Sequence, residues 1–142
     1  MSALHHVRAW TDGASRGNPG ESGAGAILRA DDDAVVAEVS VYLGIGTNNR
    51  AEYEAVRAAL VRALELNARE VDVYMDSELV QRQMTGVYRI KDAGLKPLAT
   101  AVQALAARFD RCAFHHVRRA QNPDADRLAN EAIDNAVHSR RV

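Results

Sequence analysis

The sequence predicts an α/β fold, a mixed sheet flanked by helices, and three observations carry that prediction. The first third of the chain alternates apolar and polar residues at the period of a strand. After Thr47-Asn48-Asn49 the period lengthens to that of a helix. From there onward, strand-like and helix-like segments alternate. The 142 residues suit one domain, 1–142, with a core large enough to stand without staples.

Leu4 to Thr11 reads as the first strand, and Asp12-Gly13 and Asn18-Pro19-Gly20 supply turn residues after it. Gly23 to Arg29 reads as the second, its glycines permitting close backbone approach. Asp31-Asp32-Asp33 is expected to form a solvated hairpin tip, because it lacks the glycine and the spaced ligands of a calcium loop. Ala34 to Leu43 is β-branched and alternating, a third strand that Gly44-Ile45-Gly46 ends. The three predict an antiparallel meander.

From Arg50 to Leu66, Ala51, Ala55, Ala58, Ala59, Ala63 and Leu66 recur at helical spacing, giving the longest helix. Val71, Val73 and Met75 alternate as a fourth strand, and Ser77 to Met84 reads as a short helix closed by Gly86. A further helix is expected over Lys96 to Arg108 and a fifth strand over Cys112 to Val117. Pro123 opens a last helix to about Val137.

Composition narrows the function classes. Lys and Arg total 18 against 19 Asp and Glu, so no global field draws the chain to nucleic acid or to an acidic membrane. A charged partner must be held locally. Cys112 is the only cysteine, which excludes an internal disulfide and an all-cysteine metal site, and it reads as a small buried residue in a reducing compartment. Arg8 and Asp12 interrupt the early apolar residues, unlike a secretory leader. No run approaches the roughly 20 apolar residues of a membrane span. A cytoplasmic protein is expected, with no membrane and no protein partner implied.

Four carboxylates stand out, although each has a local explanation. Glu52 lies three residues after Asn49, as in a capping box. Asp76 falls between a strand and a helix, where an N-cap aspartate is common. Asp124 and Asp126 occupy the first turn after Pro123, where acids suit the helix dipole. Together they say more. Asp12 and Asp76 end two strands that this topology can place side by side, and Glu52 and Asp126 begin helices that can overhang the same edge. Such a cluster repels itself and needs cations. With no nearby cysteine and no convincing histidine pair, oxygen ligands point to Mg2+ or Mn2+ rather than zinc, and to phosphoryl transfer.

The motifs Thr-Asp-Gly-Ala-Ser-Arg-Gly-Asn-Pro-Gly (11–20), Thr-Asn-Asn-Arg-Ala-Glu-Tyr (47–53), Met-Asp-Ser-Glu-Leu-Val (75–80) and Asn-Pro-Asp-Ala-Asp-Arg-Leu-Ala-Asn (122–130) resemble those of type 1 ribonuclease H, in order and spacing. The resemblance covers essentially the whole chain. It implies a ribonuclease H-like five-stranded mixed sheet of order 3-2-1-4-5. It also implies hydrolysis of the RNA strand of RNA/DNA hybrids, leaving 5′-phosphate and 3′-hydroxyl ends. Asp12, Glu52, Asp76 and Asp126 match the family's metal-binding catalytic acids, with Asp12 bridging two ions about 3.5–4 Å apart. In that scheme one ion activates the attacking water and the other stabilises the leaving oxygen. Asp126 is preferred to Asp124 because the Asp-Arg-Leu-Ala register aligns it with the family's last acid. Gly13, Asn18, Thr47, Asn48 and Asn49 match positions that contact the hybrid backbone. Amides and hydroxyls there can meet ribose 2′-hydroxyls and phosphates without reading bases.

The chain also departs from the family's best-known members. Their loop before the final acid often carries a histidine, whereas here it runs Val117-Arg118-Arg119-Ala120-Gln121-Asn122. His115 and His116 precede it, and strand alternation lets at most one face the cleft. Arg118 or Arg119 is the expected substitute, as a phosphate contact resembling a short archaeal-like branch. The basic, tryptophan-bearing protrusion is missing: Arg89 and Lys91 are the only bases between Gly86 and Lys96, and Trp10 belongs to the first strand. Ile45 stands where an arginine is common, and Glu78 where a glutamine often is. Two other readings use the same residues: cleavage of double-stranded RNA, and a non-catalytic hybrid-binding module, which the full set of acids argues against.

Overall fold

The computed structural model describes residues 5–140. Its elements run β1 (His6–Gly17), β2 (Gly20–Arg29), β3 (Val35–Gly46), α1 (Asn48–Glu65), β4 (Glu70–Met75), α2 (Glu78–Met84), α3 (Lys96–Ala106), β5 (Arg111–His116), a 3-10 turn (Arg119–Gln121) and α4 (Pro123–Arg140). The five strands form one sheet of order β3-β2-β1-β4-β5. The first three pair antiparallel through short hairpins, as expected. β4 and β5 run parallel to β1 and to each other, which requires crossovers, and α1 and the α2–α3 pair supply them.

Alternation sorts the side chains of the central strands. Val7 and Ala9 of β1 and Val71, Val73 and Met75 of β4 are buried, together with Tyr53, Val56 and Leu60 of α1. α4 covers the other face over β2, and the glycines of β2 make this possible. A Cβ on Gly25 would lie 2.3 Å from the Ala125 carbonyl oxygen and 2.4 Å from the Ala129 nitrogen. Helix backbone therefore rests directly on strand backbone.

Several boundaries differ from the sequence expectation. The expected start at Leu4 lies outside the described residues. β1 does not stop before Asp12: it continues pairing with β2 as far as Gly17 opposite Gly20, because two strands joined by a tight turn keep their ladder. Its pairing with β4 does end there, at Thr11 opposite Met75. Asp12 therefore lies beside the point where the neighbouring strand runs out. β5 opens one residue early, at Arg111, and α4 runs on to Arg140. Cys112 is only half-buried, and burial pushes its thiol up to about 11. Among the described residues, no helix is long and apolar enough to cross a membrane.

Candidate active site

Two of the local explanations for the acids fail on inspection. α1 is capped by Thr47, whose hydroxyl accepts from the Arg50 N–H at 3.2 Å, so Glu52 is not the acid of a capping box. α2 is capped by Ser77, which accepts from Val80 N–H at 3.2 Å, so Asp76 does not serve as its cap. Both carboxylates are left free to face inward.

They face Asp12. Carboxylate oxygens of Asp12, Glu52 and Asp76 lie within 4.8 Å of one another, with Asp12 and Glu52 buried. Asp126 lies outside this trio but borders Asp12, where its charge adds to the repulsion. Asn130 holds it by donating to the Asp126 carboxylate at 3.3 Å and to its main-chain carbonyl at 3.0 Å. Asp124, two residues before Asp126, pairs with Arg29 at 3.3 Å. None of the four acids is ion-paired with a base among the described residues.

The electrostatics follow. Burial first, then the Asp76 charge, pushes Asp12 up to about 7, with Asp126 adding and the Glu52 hydrogen bond opposing. Burial and then Asp12 hold Glu52 well above its ordinary value. One oxygen of Asp76 is buried with no hydrogen-bond partner. Buried polar atoms are rarely left so. An orphaned carboxylate oxygen, two disfavoured charges and an all-oxygen donor set fit a hard divalent cation.

The expected substrate contacts divide. What approaches the Gly13 backbone is α1: a Cβ there would lie 2.2 Å from the Glu52 nitrogen, so this glycine lets the helix bring Glu52 to Asp12. The Thr47 hydroxyl is spent on its cap. Asn18 accepts from the Asn48 N–H at 3.2 Å, tying the β1–β2 turn to the start of α1. Asn48 is exposed at the start of α1. Asn49 lines a groove of about 510 Å³ with Leu79, Gln83, Tyr88, Arg89 and Lys91. Glu78 is paired with Arg82 at 2.9 Å. Arg118 and Arg119 are exposed and unpaired among the described residues.

Neither histidine before the final helix reaches the acids by its contacts. His115 bonds Asp72 at 2.7 Å and stacks on Tyr74, 4.9 Å between ring centroids. His116 is exposed at the end of β5. The sequence reading passed over Arg50, although it stands inside the Thr-Asn-Asn-Arg motif. Its exposed guanidinium donates to the Ile45 carbonyl at 3.5 Å, putting a cation beside the position where the expected arginine is replaced by isoleucine.

Sheet order and acid cluster together define a class of α/β protein that gathers carboxylates where the pairing of two central parallel strands ends. Residues 10–132 match the reverse transcriptase-like family. A bifunctional protein of Mycobacterium tuberculosis is 47% identical over 129 residues, which are 90% of this chain and 35% of that protein. Ribonuclease HI of Halobacterium salinarum is 42% identical over 130 residues, 92% of this chain and 65% of that one. The crystal structure of RNase H1 from that organism gives a TM-score of 0.89 and covers 92% of this chain and 98% of that one. LC11-RNase H1, solved in complex with an RNA/DNA hybrid, is 40% identical with a TM-score of 0.86, covering 92% of this chain and 99% of that one. The chain belongs to the type 1 ribonuclease H family. It spans 35% and 65% of the length of the two curated relatives.

Proposed function

We propose that this chain, as a single catalytic domain, hydrolyses the RNA strand of RNA/DNA hybrids. The observation that carries the proposal is the trio Asp12, Glu52 and Asp76 within 4.8 Å, free of any basic partner. Two divalent ions, Mg2+ or Mn2+, would supply Lewis-acid activation of the attacking water and charge at the departing 3′-oxygen. The chain's own residues do the rest. Asp12, Glu52 and Asp76 would hold these cations against the backbone phosphate, with Asp126 offering a further carboxylate from α4. Water adds to phosphorus and the bond to the 3′-oxygen breaks, leaving a 5′-phosphate and a 3′-hydroxyl.

Exposed cations lie close in the chain to two of the acids, Arg50 to Glu52 at the start of α1 and Arg118 and Arg119 to Asp126 ahead of α4. They suit phosphate contacts that carry no sequence information. Asn48, Asn49 and the groove beside Tyr88 present amide and aromatic groups to the sugars, where the 2′-hydroxyl separates RNA from DNA.

The test is cleavage of labelled hybrid, RNA duplex and DNA duplex of one sequence, with Mg2+, Mn2+ or EDTA. Metal-dependent cutting of the RNA strand of the hybrid alone is expected. Asp12→Asn should lower the rate by roughly 10³-fold or more, since it removes several kcal/mol of charge stabilisation. No cutting by the wild type with either metal overturns the reading. Hybrid binding that persists in EDTA without cleavage would then make this a binding module.

A further inference from the structure

Asn122 occupies the N-cap position of α4, immediately before Pro123, yet its side chain does not cap the helix. It is 1% exposed, and its Nδ2 donates at 2.9 Å to the main-chain carbonyl of Thr11, the residue before Asp12. Its Oδ1 is buried with no partner. Asparagine is favoured at N-caps because that oxygen accepts a helix N–H. Here the favoured bond is given up and a buried acceptor is left unsatisfied, an arrangement that proteins seldom keep without compensation.

The compensation lies in what the residue joins. Through its amide, Asn122 grips the peptide that carries Asp12. Through its own carbonyl, which accepts the Asp126 N–H at 3.3 Å, it begins the turn that carries Asp126. Its N–H is held in turn by the Arg119 carbonyl at 3.0 Å. This link is not the only contact of α4 with the sheet, because Gly25 also seats Ala125 and Ala129.

We infer that Asn122 is a positioning residue that sets the separation of Asp12 and Asp126 and thereby the affinity of the site for its second cation. The inference rests on the metal-dependent reading above. It assigns to one buried amide the task of bringing the acid outside the trio into play.

Asn122→Ser tests it, because serine is as good an N-cap but too short to reach Thr11. Mg2+ and Mn2+ binding to the free protein is measured by calorimetry, beside kcat, KM and the metal concentration for half-maximal cleavage. Groups that orient metal ligands typically contribute about 10–100-fold. We expect metal affinity and kcat to fall by about that factor, with KM for hybrid within about twofold. Asn122→Asp keeps the shape and removes the N–H. Its added charge alone would tighten cation binding, so weaker binding there supports the link and tighter binding opposes it. Ile133→Ala, a core change elsewhere in α4, serves as a destabilised control. A lowered melting temperature with wild-type metal affinity and kcat overturns the inference, as does an equal loss of affinity in Ile133→Ala. Wild-type protein that binds metal but cuts no hybrid would remove the nuclease reading and leave the calorimetric comparison standing.

Discussion

The two ends of β4 treat their carboxylates in opposite ways. Near its start, Asp72 accepts both arms of Arg111 at 2.9 and 2.8 Å and is met by His6 and His115, each at 2.7 Å. Arg111 first, then the histidines, overcome burial and hold this carboxyl far below its usual range. Past its end, Asp76 meets Asp12 and Glu52 and no base at all. The two acids are four residues apart, one within β4 and the other just beyond it. The difference is that one is satisfied by the chain and the other is left for something the chain does not contain. A carboxylate with its counter-charges in place is architecture, and a cluster without them is a site.

His6 shows how completely the first end is balanced. Its Nε2 faces Asp72 at 2.7 Å and its Nδ1 faces Asp31 of the β2–β3 turn at 2.5 Å. Two carboxylates on the two ring nitrogens favour the doubly protonated ring, which carries a donor on each. Tyr74 stacks between Trp10 and His115, with centroid distances of 5.1 and 4.9 Å, and orients the second histidine. The expectation that Asp31 to Asp33 form only a solvated tip is therefore incomplete, since Asp31 and Asp33 also anchor it to His6 and Arg8.

The contrast can be sharpened or broken by substitution. The largest effect belongs to the unbalanced end, where Asp12→Asn should abolish most cleavage while leaving the fold intact. Asp72→Ala should do the reverse. It leaves Arg111, His6 and His115 facing one another without an anion, and we expect a loss of roughly 1–3 kcal/mol in denaturant melts. That is less than the ~3–5 of a fully buried pair because Arg111 is partly screened by water. Activity per folded molecule should stay within about twofold. A large fall in kcat at unchanged stability would show that the two ends of β4 are coupled, and the comparison would fail.

A smaller effect should appear in EDTA. There Asp12→Asn relieves the burial and repulsion that push this carboxyl up to about 7, so the variant should be more stable than wild type at pH 8 by about 1–2 kcal/mol. Millimolar Mg2+ should close the gap by stabilising the wild type alone. A variant less stable than wild type without metal would mean that the cluster carries counter-charges after all.

The smallest effect concerns His6. Burial works against its charge, but the bonds to Asp31 and Asp72 outweigh it and raise its pKa above the ordinary 6.5. A raised histidine contributes stability that is fully present below the unfolded value and is lost as pH rises through the folded one. His6→Gln should therefore flatten the decline of stability above about pH 6.5, by less than about 1 kcal/mol given the partial exposure of the site. Equal slopes in both proteins would remove His6 from the balanced end.

Sequence by itself determined a mixed sheet covered by helices, because periods of two and 3.6 are local properties of the chain, whereas the order 3-2-1-4-5 was what the family resemblance implied. The order in which they occur leaves few ways to cover both faces. It also determined which acids to watch, since Asp12, Glu52, Asp76 and Asp126 each stand at the edge of an element. Capping was the competing explanation for two of them, and only the structure resolved it, by assigning the caps to Thr47 and Ser77. Tertiary structure alone decided what Gly13 is for, where His115 points, and what Asn122 holds. The partners of those residues lie 38 to 111 positions away, and no local pattern encodes a neighbour brought in by folding. Local order makes the strands and helices, whereas the balance of charge at each end of β4 exists only once β1, β5 and α1 are brought beside it.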